Sequence, residues 1–238
     1  MRHRALRLVD RATIRFLDAL LAGALLVVLA PVLVALAVLV KVDSRGPALY
    51  RCRRAGVGGR EFAMLKFRKM HDGAVGSVLT APDDERFTRI GRFLARTRLD
   101  ELPQLWNVVV GHMSLVGPRP EDTSVVAAHR DKLEIVLSVR PGITGLSQIA
   151  FARESDILDP LNRMGHYEGR ILPQKIALDS LYASRRSVWL NLRILAWTAI
   201  VAVLGRDVAV HRGSGRMRLR RRPAATALET LSMKRSEP

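Results

Sequence analysis

Residues 19–40 read ALLAGALLVVLAPVLVALAVLV, a run in which no side chain is polar. At about 1.5 Å per residue, a continuous helix of this length reaches about 33 Å, enough to cross the hydrocarbon core of a membrane. The run is too long for a cleaved signal peptide, and Lys41-Val42-Asp43-Ser44 makes a poor cleavage site. The segment is therefore predicted to be a membrane helix, and it decides the fold class.

Two features determine how this helix sits in the membrane. Pro31 removes one helical hydrogen bond and clashes with the preceding turn, so a kink is predicted there. Positive charge normally gathers on the cytoplasmic side, yet both flanks of the run are basic. The flanking residues are Arg2, Arg4, Arg7, Arg11, Arg15, Lys41, Arg45, Arg51, Arg53 and Arg54. A kinked spanning helix and a re-entrant helix that returns to the same face both remain open.

The charge of the whole chain limits its partners. The 238 residues include 39 Lys and Arg against 22 Asp and Glu, a formal net charge of +17, which favours an anionic partner. Basic clusters beside an apolar run point first to anionic phospholipids. The single cysteine, Cys52, excludes an intrachain disulfide and a cysteine metal cluster. Residues 206–238 are polar and basic, and they are predicted to form a disordered tail.

Between the apolar run and the tail, the pattern predicts a compact α+β domain. Two strands, 47–54 and 61–68, are joined by a glycine-rich turn. Helices are predicted at 90–97, 102–113, 121–138, 175–182 and 188–204. The last of these is apolar but carries Trp189, Arg193 and Trp197, so it is expected to lie on a membrane surface.

The strongest chemical signal is Leu99-Asp100-Glu101-Leu102-Pro103-Gln104. Pro103 belongs to a first helical turn, so both acidic residues lie at a helix N-terminus, where phosphate and carboxylate groups are favoured. A carboxylate nucleophile with a second carboxylate to hold Mg²⁺ suits phosphoryl transfer. Alternatively, the pair is an ordinary helix cap. The sequence shows no paired-histidine metal site, no dinucleotide or P-loop motif and no hydrolase triad.

Seven motifs occur in a fixed order along the chain. They are Gly46-Pro47, Arg54-x-Gly56-x-x-Gly59, Lys66-Phe67-Arg68-x-Met70, Arg89-Ile90-Gly91-Arg92-Phe93-Leu94, Leu99-Asp100-Glu101-Leu102-Pro103-Gln104-Leu105-Trp106-Asn107, Ser114-Leu115-Val116-Gly117-Pro118-Arg119-Pro120 and Arg140-Pro141-Gly142-Ile143-Thr144-Gly145. Together they resemble the bacterial sugar transferase family, small monotopic polyprenyl-phosphate phosphoglycosyl transferases that start surface glycan synthesis. The resemblance covers about residues 17–205.

The resemblance implies a re-entrant helix bent at Pro31 and a ping-pong mechanism. Asp100 would attack the β-phosphorus of a UDP-sugar and release UMP, and polyprenyl phosphate would then accept the phosphosugar. Glu101, with Asp100, would hold Mg²⁺, or Mn²⁺ in its place. The implied phosphate-binding residues are Arg119, Arg140, Lys66 and Arg68, and Asp179 would support the site.

The resemblance also implies a place in the cell and a layout of the chain. The enzyme would lie in the bacterial inner membrane with its catalytic domain on the cytoplasmic face, as a monomer or a homodimer, and would bind no nucleic acid. The layout is a basic segment (1–15), a re-entrant helix (16–41), a catalytic domain (42–205) and the tail (206–238). The product would initiate exopolysaccharide, capsule, O-antigen or glycoprotein glycan synthesis.

Three positions depart from the family pattern, and none touches the acidic pair. Ala30 replaces a serine before the kink proline, Arg98 replaces a small polar residue, and Asn191 replaces an acidic one. The segment 151–173 follows the family loosely and is predicted to influence sugar choice. Two other functions remain open: an inactive scaffold of a glycan assembly complex, and a membrane-tethered protein whose basic tail binds anions.

Overall fold

The computed structural model describes residues 2–76, 84–152, 154–159, 162–205 and 207–220. Helices and small sheets alternate, which confirms the predicted mixed α+β class. The helices are α1 (Arg2–Val28), α2 (Ala30–Asp43), α3 (Arg89–Thr97), α4 (Gln104–Val109), α5 (Thr123–Ala128), α6 (Arg130–Leu137), α7 (Leu146–Ala150), α8 (Glu154–Ile157), α9 (Arg163–His166), α10 (Leu172–Arg185) and α11 (Val188–Leu204). The strands are β1 (Leu49–Ala55), β2 (Glu61–Phe67), β3 (Ser114–Val116), β4 (Gly142–Thr144), β5 (Val208–Val210) and β6 (Met217–Leu219).

The apolar run forms two helices and not one. The axes of Asp10–Val28 and Ala30–Asp43 meet at 64°, and Pro31 lies in the first turn of α2. Proline is tolerated there because the first amide groups of a helix have no partner within it. Among the described residues no single helix is long and apolar enough to span a membrane, whereas this bent pair meets the length and composition criteria together. The predicted kink is therefore present.

The strands form three two-stranded sheets. β1 and β2 are antiparallel, with Leu49 opposite Phe67, and the turn between them contains Gly58 and Gly59 at positive φ. The predicted glycine-rich hairpin is thus confirmed. β3 and β4 are parallel. The single helix predicted over 121–138 is wrong: the segment forms two helices, because the backbone leaves helical geometry at His129 (φ −130°, ψ 31°).

The main hydrophobic core joins the bent helix pair to the domain. Ala22 of α1 is fully buried in it, and α4, β3, α10 and α11 supply half of the other buried side chains. The fully or nearly fully buried members include Ala22, Leu105, Val108, Met113, Val116, Leu146, Leu178, Tyr182 and Ile194. A second cluster packs Leu36 and Val40 of α2 against Phe67 and Leu94. Both arms of the bent pair therefore pack on the same folded domain.

The chain beyond α11 is ordered further than its composition predicts. β5 and β6 pair antiparallel, and Val208 and Met217 are buried in the main core. The prediction of a disordered tail over 206–238 is therefore wrong for residues 207–220, since their apolar side chains pack against the domain. Arg206 and residues 221–238 lie outside the described part of the chain.

Candidate active site

The acidic pair lies on a 3₁₀ turn, Leu99–Glu101, between α3 and α4. Arg98, which precedes the turn, has a left-handed backbone (φ 58°) that ends α3 and redirects the chain. The turn brings Asp100 into the protein, where it is only 3% exposed. Glu101 points towards a half-buried group of cations. The alternative that the pair is an ordinary helix cap is wrong, because neither side chain caps a helix.

Three cations contact the two carboxylates, two of them from one motif and the third from a distant part of the chain. Lys66 Nζ donates to Glu101 Oε1 at 2.9 Å, and Arg119 Nη1 lies 3.9 Å from the same oxygen. Lys69 Nζ lies 3.6 Å from Asp100 Oδ2. Sequence reasoning predicted Lys66 and Arg119 for this site but did not assign Lys69. The structure thus brings together Asp100, Glu101, Lys66 and Arg119, and adds Lys69.

Local packing explains why these cations converge. Asn107 of α4 accepts from the amide of Leu65 at 2.9 Å and donates to the carbonyl of Ala63 at 2.8 Å. These two bonds fasten α4 along the edge of β2, which places Lys66 opposite Glu101. On the other side, a Cβ at Gly91 would collide with the backbone carbonyl of Lys69, so only glycine lets α3 approach that segment.

Burial and charge act differently on the two carboxyl groups. Burial raises the pKa of Asp100 above its ordinary value, and Lys69 and Lys66 only partly offset this. Burial would also raise the pKa of Glu101, but Lys66 and Arg119 outweigh it and hold that pKa at about 2. Burial lowers the pKa of Lys69, against the attraction of Asp100. The site therefore holds one firmly ionised carboxylate beside a more basic one.

A second group of charged side chains lies near Arg119. Lys175, only 3% exposed, contacts Glu121 at 3.0 Å and Glu154 at 3.2 Å. Its ammonium also donates to the hydroxyl of Tyr167 at 2.9 Å. The charges of Glu101, Glu154 and Glu121 raise the pKa of Arg119 despite its burial. Lys175, Glu121 and Tyr167 were missed because a single sequence gives no sign that they meet.

Other predicted site residues lie outside this group. Arg68 is 5% exposed and donates to Ser44 and to the carbonyl of Pro47 at 2.6–2.8 Å, which ties the end of α2 to β2. Arg140 donates to the carbonyl of Gly111 at 2.9 Å, and the groups that act on it are Arg15, Arg186 and Asp18. Neither residue contacts Asp100 or Glu101 in the described part of the chain.

Asp179 lies deeper still. Its Oδ2 accepts from Ser147 Oγ at 3.0 Å, and its Oδ1 is buried without a hydrogen-bond partner. Burial raises the pKa of Asp179 to about 7, against the Ser147 hydrogen bond and the charge of Lys175. It acts electrostatically on the Lys175–Glu121 group, and it does not contact the acidic pair.

The donor set around the acidic pair is compatible with a hard cation. The closest ion-pair contacts are made by Asp100 Oδ2 and Glu101 Oε1. Carboxylate oxygens are the protein ligands that Mg²⁺ prefers, with phosphates completing the shell. In the part of the chain that the structure describes, no group of three or more His, Cys, Asp or Glu is placed to hold a metal. Substrate oxygens would therefore have to supply further ligands.

Two carboxylates on one turn, set against lysine and arginine side chains from separate segments, define a site of the class that handles phosphate esters. Comparison with known proteins makes this specific. Residues 9–205 match the family described as bacterial sugar transferase, and the chain belongs to that family.

Curated relatives support the assignment. The chain is 42% identical over 203 residues to a UDP-glucose:undecaprenyl-phosphate glucose-1-phosphate transferase of Xanthomonas campestris pv. campestris, covering 81% of this chain and 39% of that protein. It is 38% identical over 189 residues to a protein of the same name from Caulobacter vibrioides, covering 77% and 67%. It is also 38% identical over 184 residues to the exopolysaccharide production protein PSS of Rhizobium leguminosarum bv. phaseoli, covering 74% and 87%. The chain spans about two fifths of the length of several relatives.

Proposed function

We propose that this protein transfers a sugar 1-phosphate from a UDP-sugar to polyprenyl phosphate through an aspartyl intermediate. The observation that carries the proposal is the buried Asp100, 3.6 Å from Lys69 and adjacent to a Glu101 that is itself bound by Lys66 and Arg119. A carboxylate that is buried has a raised pKa and is a stronger nucleophile than one in water, while the surrounding cations stabilise phosphate charge.

The reaction has two half-reactions. In the first, a carboxylate oxygen of Asp100 bonds to the β-phosphorus, the bond from that phosphorus to the UMP oxygen breaks, and UMP leaves with the electron pair. In the second, a phosphate oxygen of polyprenyl phosphate attacks the same phosphorus, and the bond to Asp100 breaks. The carboxylate is regenerated, and the product is a polyprenyl diphosphate sugar. Lys66, Lys69 and Arg119 neutralise the phosphate oxygens in both steps.

Mg²⁺, or Mn²⁺ in its place, is the proposed cofactor. Asp100 and Glu101 would hold it together with the diphosphate of the donor. When bound, the metal supplies Lewis-acid neutralisation of the leaving phosphate. Glu101 is suited to hold a cation because its pKa of about 2 keeps it ionised.

The bent helix pair is proposed to be re-entrant. Polar contacts fasten both arms to one domain: Arg15 Nη1 donates to Val108 at 2.6 Å, and Asp43 accepts from the amide of Ile90 at 3.0 Å. Large apolar side chains remain exposed on both arms, among them Val27, Val28 and Val34 at 63–76%. A spanning pair would carry one arm away from the domain, whereas a re-entrant pair buries these side chains in lipid.

This geometry supports a location in the bacterial inner membrane with the catalytic domain on the cytoplasmic face, where UDP-sugars are made. α11 is proposed to lie on the same surface, since Trp189 is 70% exposed. The partners are then the donor, the lipid acceptor and anionic phospholipids. A homodimer remains an untested prediction.

The sugar and the glycan are proposed from the relatives. Several are named for glucose 1-phosphate transfer, one for N-acetylgalactosamine and one for galactose. UDP-glucose is therefore the first donor to test, and exopolysaccharide or capsule synthesis is the proposed pathway class.

The test is UMP release by the full chain in nanodiscs with Mg²⁺, polyprenyl phosphate and a panel of UDP-sugars. Asp100→Asn is expected to lower the rate by roughly 10³-fold or more, since it removes the nucleophile. Asp131→Asn, at an exposed acidic residue of α6, is the matched control and should retain the rate. Chelation with EDTA should stop the reaction.

Folded protein that releases no UMP from any donor would overturn the enzyme assignment and leave the scaffold hypothesis. A rate that survives in Asp100→Asn would overturn the aspartyl intermediate alone. Labelled phosphosugar trapped on the wild-type protein, and absent from the variant, is the direct positive result.

A further inference from the structure

Three guanidinium groups gather where α1 meets the turn after α4. Arg15 donates from both Nη atoms, to the carbonyls of Val108 at 2.6 Å and Val109 at 2.7 Å. These carbonyls belong to the last turn of α4, which is the negative end of that helix. Arg15 is therefore held firmly beside residues 110–114.

Arg140 and Arg15 both lie against Gly111. The Nε of Arg140 donates to the carbonyl of Gly111 at 2.9 Å, and a Cβ on Gly111 would lie 3.3 Å from Arg15 Nη2. Gly111 has φ +89°, a conformation that favours glycine. The two guanidinium groups thus contact the same residue, although both are cations.

Arg186 approaches from the junction of α10 and α11. Its Nη2 donates to Ser114 Oγ at 3.4 Å, and Ser114 in turn donates to Asp18 Oδ2 at 2.6 Å. The Nε of Arg186 is buried without a hydrogen-bond partner among the described residues. Asp18 is 4% exposed and also accepts from the amide of Leu115 at 3.3 Å.

The cluster has more positive charge than its protein partners neutralise. Asp18 is the carboxylate that acts on Arg140, and Arg15 and Arg186 act on Asp18 in turn. Burial, Arg15 and Arg186 all lower the pKa of Arg140, and Asp18 only partly opposes them. Each guanidinium carries five N–H donors, and Arg140 has one hydrogen bond among the described residues. A bound anion would satisfy both the charge and the donors.

The position of the cluster indicates where that anion comes from. Arg15 is followed by Phe16, which is 67% exposed and lies three positions before the apolar run. Trp189, 70% exposed, is the second residue of α11, three positions after Arg186. If the bent pair enters the membrane as proposed above, the cluster lies at the depth of the lipid head groups.

We propose that Arg15, Arg140 and Arg186 form a binding site for the phosphate of an anionic phospholipid, separate from the acidic pair. Arg140 and Arg186 supply the free donors, and Arg15 supplies charge. The bound lipid would bridge α1, the 110–114 turn and the start of α11. The site rests on the proposed membrane insertion, and it gives Arg140 a phosphate-binding role away from Asp100.

The test is a titration of the detergent-solubilised full chain with short-chain phosphatidylglycerol, followed by native mass spectrometry. Phosphatidylcholine of equal chain length is the zwitterionic comparison. Arg186→Gln is expected to weaken phosphatidylglycerol binding about tenfold, the effect of losing a charge-assisted hydrogen bond. Arg185→Gln is the matched control, because this exposed neighbour loses the same charge outside the cluster. Arg140→Gln is the second variant if Arg186→Gln melts at a lower temperature.

Equal affinity in the wild type and both cluster variants would overturn the site. So would Arg186-dependent binding of inorganic phosphate or polyprenyl phosphate without binding of phosphatidylglycerol. Vesicle flotation and UMP release on the same preparations separate this result from the proposed function. If the protein floats with vesicles and releases UMP but does not bind phosphatidylglycerol, only this inference is overturned. If the protein does not float, the proposed membrane insertion is overturned.

Discussion

Lys69 lies close enough to Asp100 to influence the pKa of its carboxyl group. Its ammonium lies 3.6 Å from the carboxylate and lowers a pKa that burial raises. Replacing it, as in Lys69→Met, should raise the pKa of Asp100 further, because a nearby opposite charge is lost. Because the ionised carboxylate is the proposed nucleophile, the acid limb of the kcat/KM profile should move to higher pH.

Lys69→Arg keeps the charge and should leave the limb close to its original position. Lys132→Met, at an exposed lysine of α6, controls for the loss of overall charge. An acid limb that stays in place in Lys69→Met, with lower activity at every pH, would show that Lys69 acts on the substrate and not on Asp100.

Asp179 makes the stability of the fold depend on pH. Its pKa is raised from 3.8 to about 7, chiefly by burial. Below about pH 4 the carboxyl is protonated in both the folded and the unfolded state, so the contribution is fully present there. As pH rises to about 7 the unfolded state releases its proton first, and stability falls by about 1.4 kcal/mol per pH unit.

Asp179→Asn has no carboxyl to titrate, so the melting temperature of the wild type relative to this variant should fall from pH 4 to pH 7 and then level off. Thermal melting in detergent across that range measures the difference. A constant difference at all pH values would mean that Asp179 is ionised throughout and that an unobserved partner stabilises its charge.

The sequence predicts the chemical centre of the site well and its surroundings poorly. Asp100, Glu101, Lys66 and Arg119 could be found because each lies in a short motif whose chemistry suits phosphate. Arg68 lies in the same motif as Lys66, but β2 ends between them, and its side chain turns towards α2. Lys175 could not be found, because its function depends on Glu121 and Glu154, which only the folded chain brings within 3.2 Å.

At the scale of elements, Pro31 and the bend of 64° are the features that decide topology. Pro31→Ala restores an amide that can bond within a straighter helix, so a measurable fraction of chains should carry α2 across the membrane. A cysteine introduced as Arg45→Cys, in a Cys52→Ser background, reports the side by labelling with an impermeant maleimide.

In the parent background the introduced cysteine should react only from the cytoplasmic face, in inverted vesicles. Val32→Ala, which keeps the proline and changes a neighbouring apolar residue, should behave like the parent. Labelling of Pro31→Ala from the cytoplasmic face alone would mean that the contacts of Arg15 and Asp43 with the domain are sufficient to hold the bend.

The elements that could be predicted are those with a strong local pattern. The β1–β2 hairpin matches its prediction within two residues, because a glycine-rich turn separates two alternating strands. The β5–β6 hairpin could not be predicted, since only Val208 and Met217 are buried in the core, while Val210 and Leu219 are partly buried against it. Charged residues dominate the composition of this segment, so its buried apolar positions give no clear pattern in the sequence.

At the scale of the whole molecule, one core joins both ends of the described chain. Ala22 near its start and Val208 near its end belong to the same cluster. Truncation after Gly205 removes Val208 and Met217 and should cost about 3–6 kcal/mol, at roughly 1.5–3 kcal/mol for each buried apolar side chain. Truncation after Arg220 removes residues whose polar, basic composition predicts disorder, and it should leave the melting temperature unchanged.

Melting temperature and UMP release of both truncated forms test this prediction. Loss of activity on truncation after Arg220, with unchanged melting, would favour the hypothesis that the basic tail carries the function. Equal stability of the two forms would mean that the hairpin does not belong to the cooperative core.

The hydrogen bond between Asp18 and Ser114 joins residues 96 positions apart. A ribosome that adds about 5–20 residues per second therefore releases α1 roughly 5–20 s before its partner strand is made. During that interval Arg15 and Asp18 have only water and lipid head groups to bind, and both are costly to move through hydrocarbon. We expect the nascent segment to wait at the membrane surface, so that the timing of translation, as well as the finished contacts, keeps the helix pair on the side where it was made.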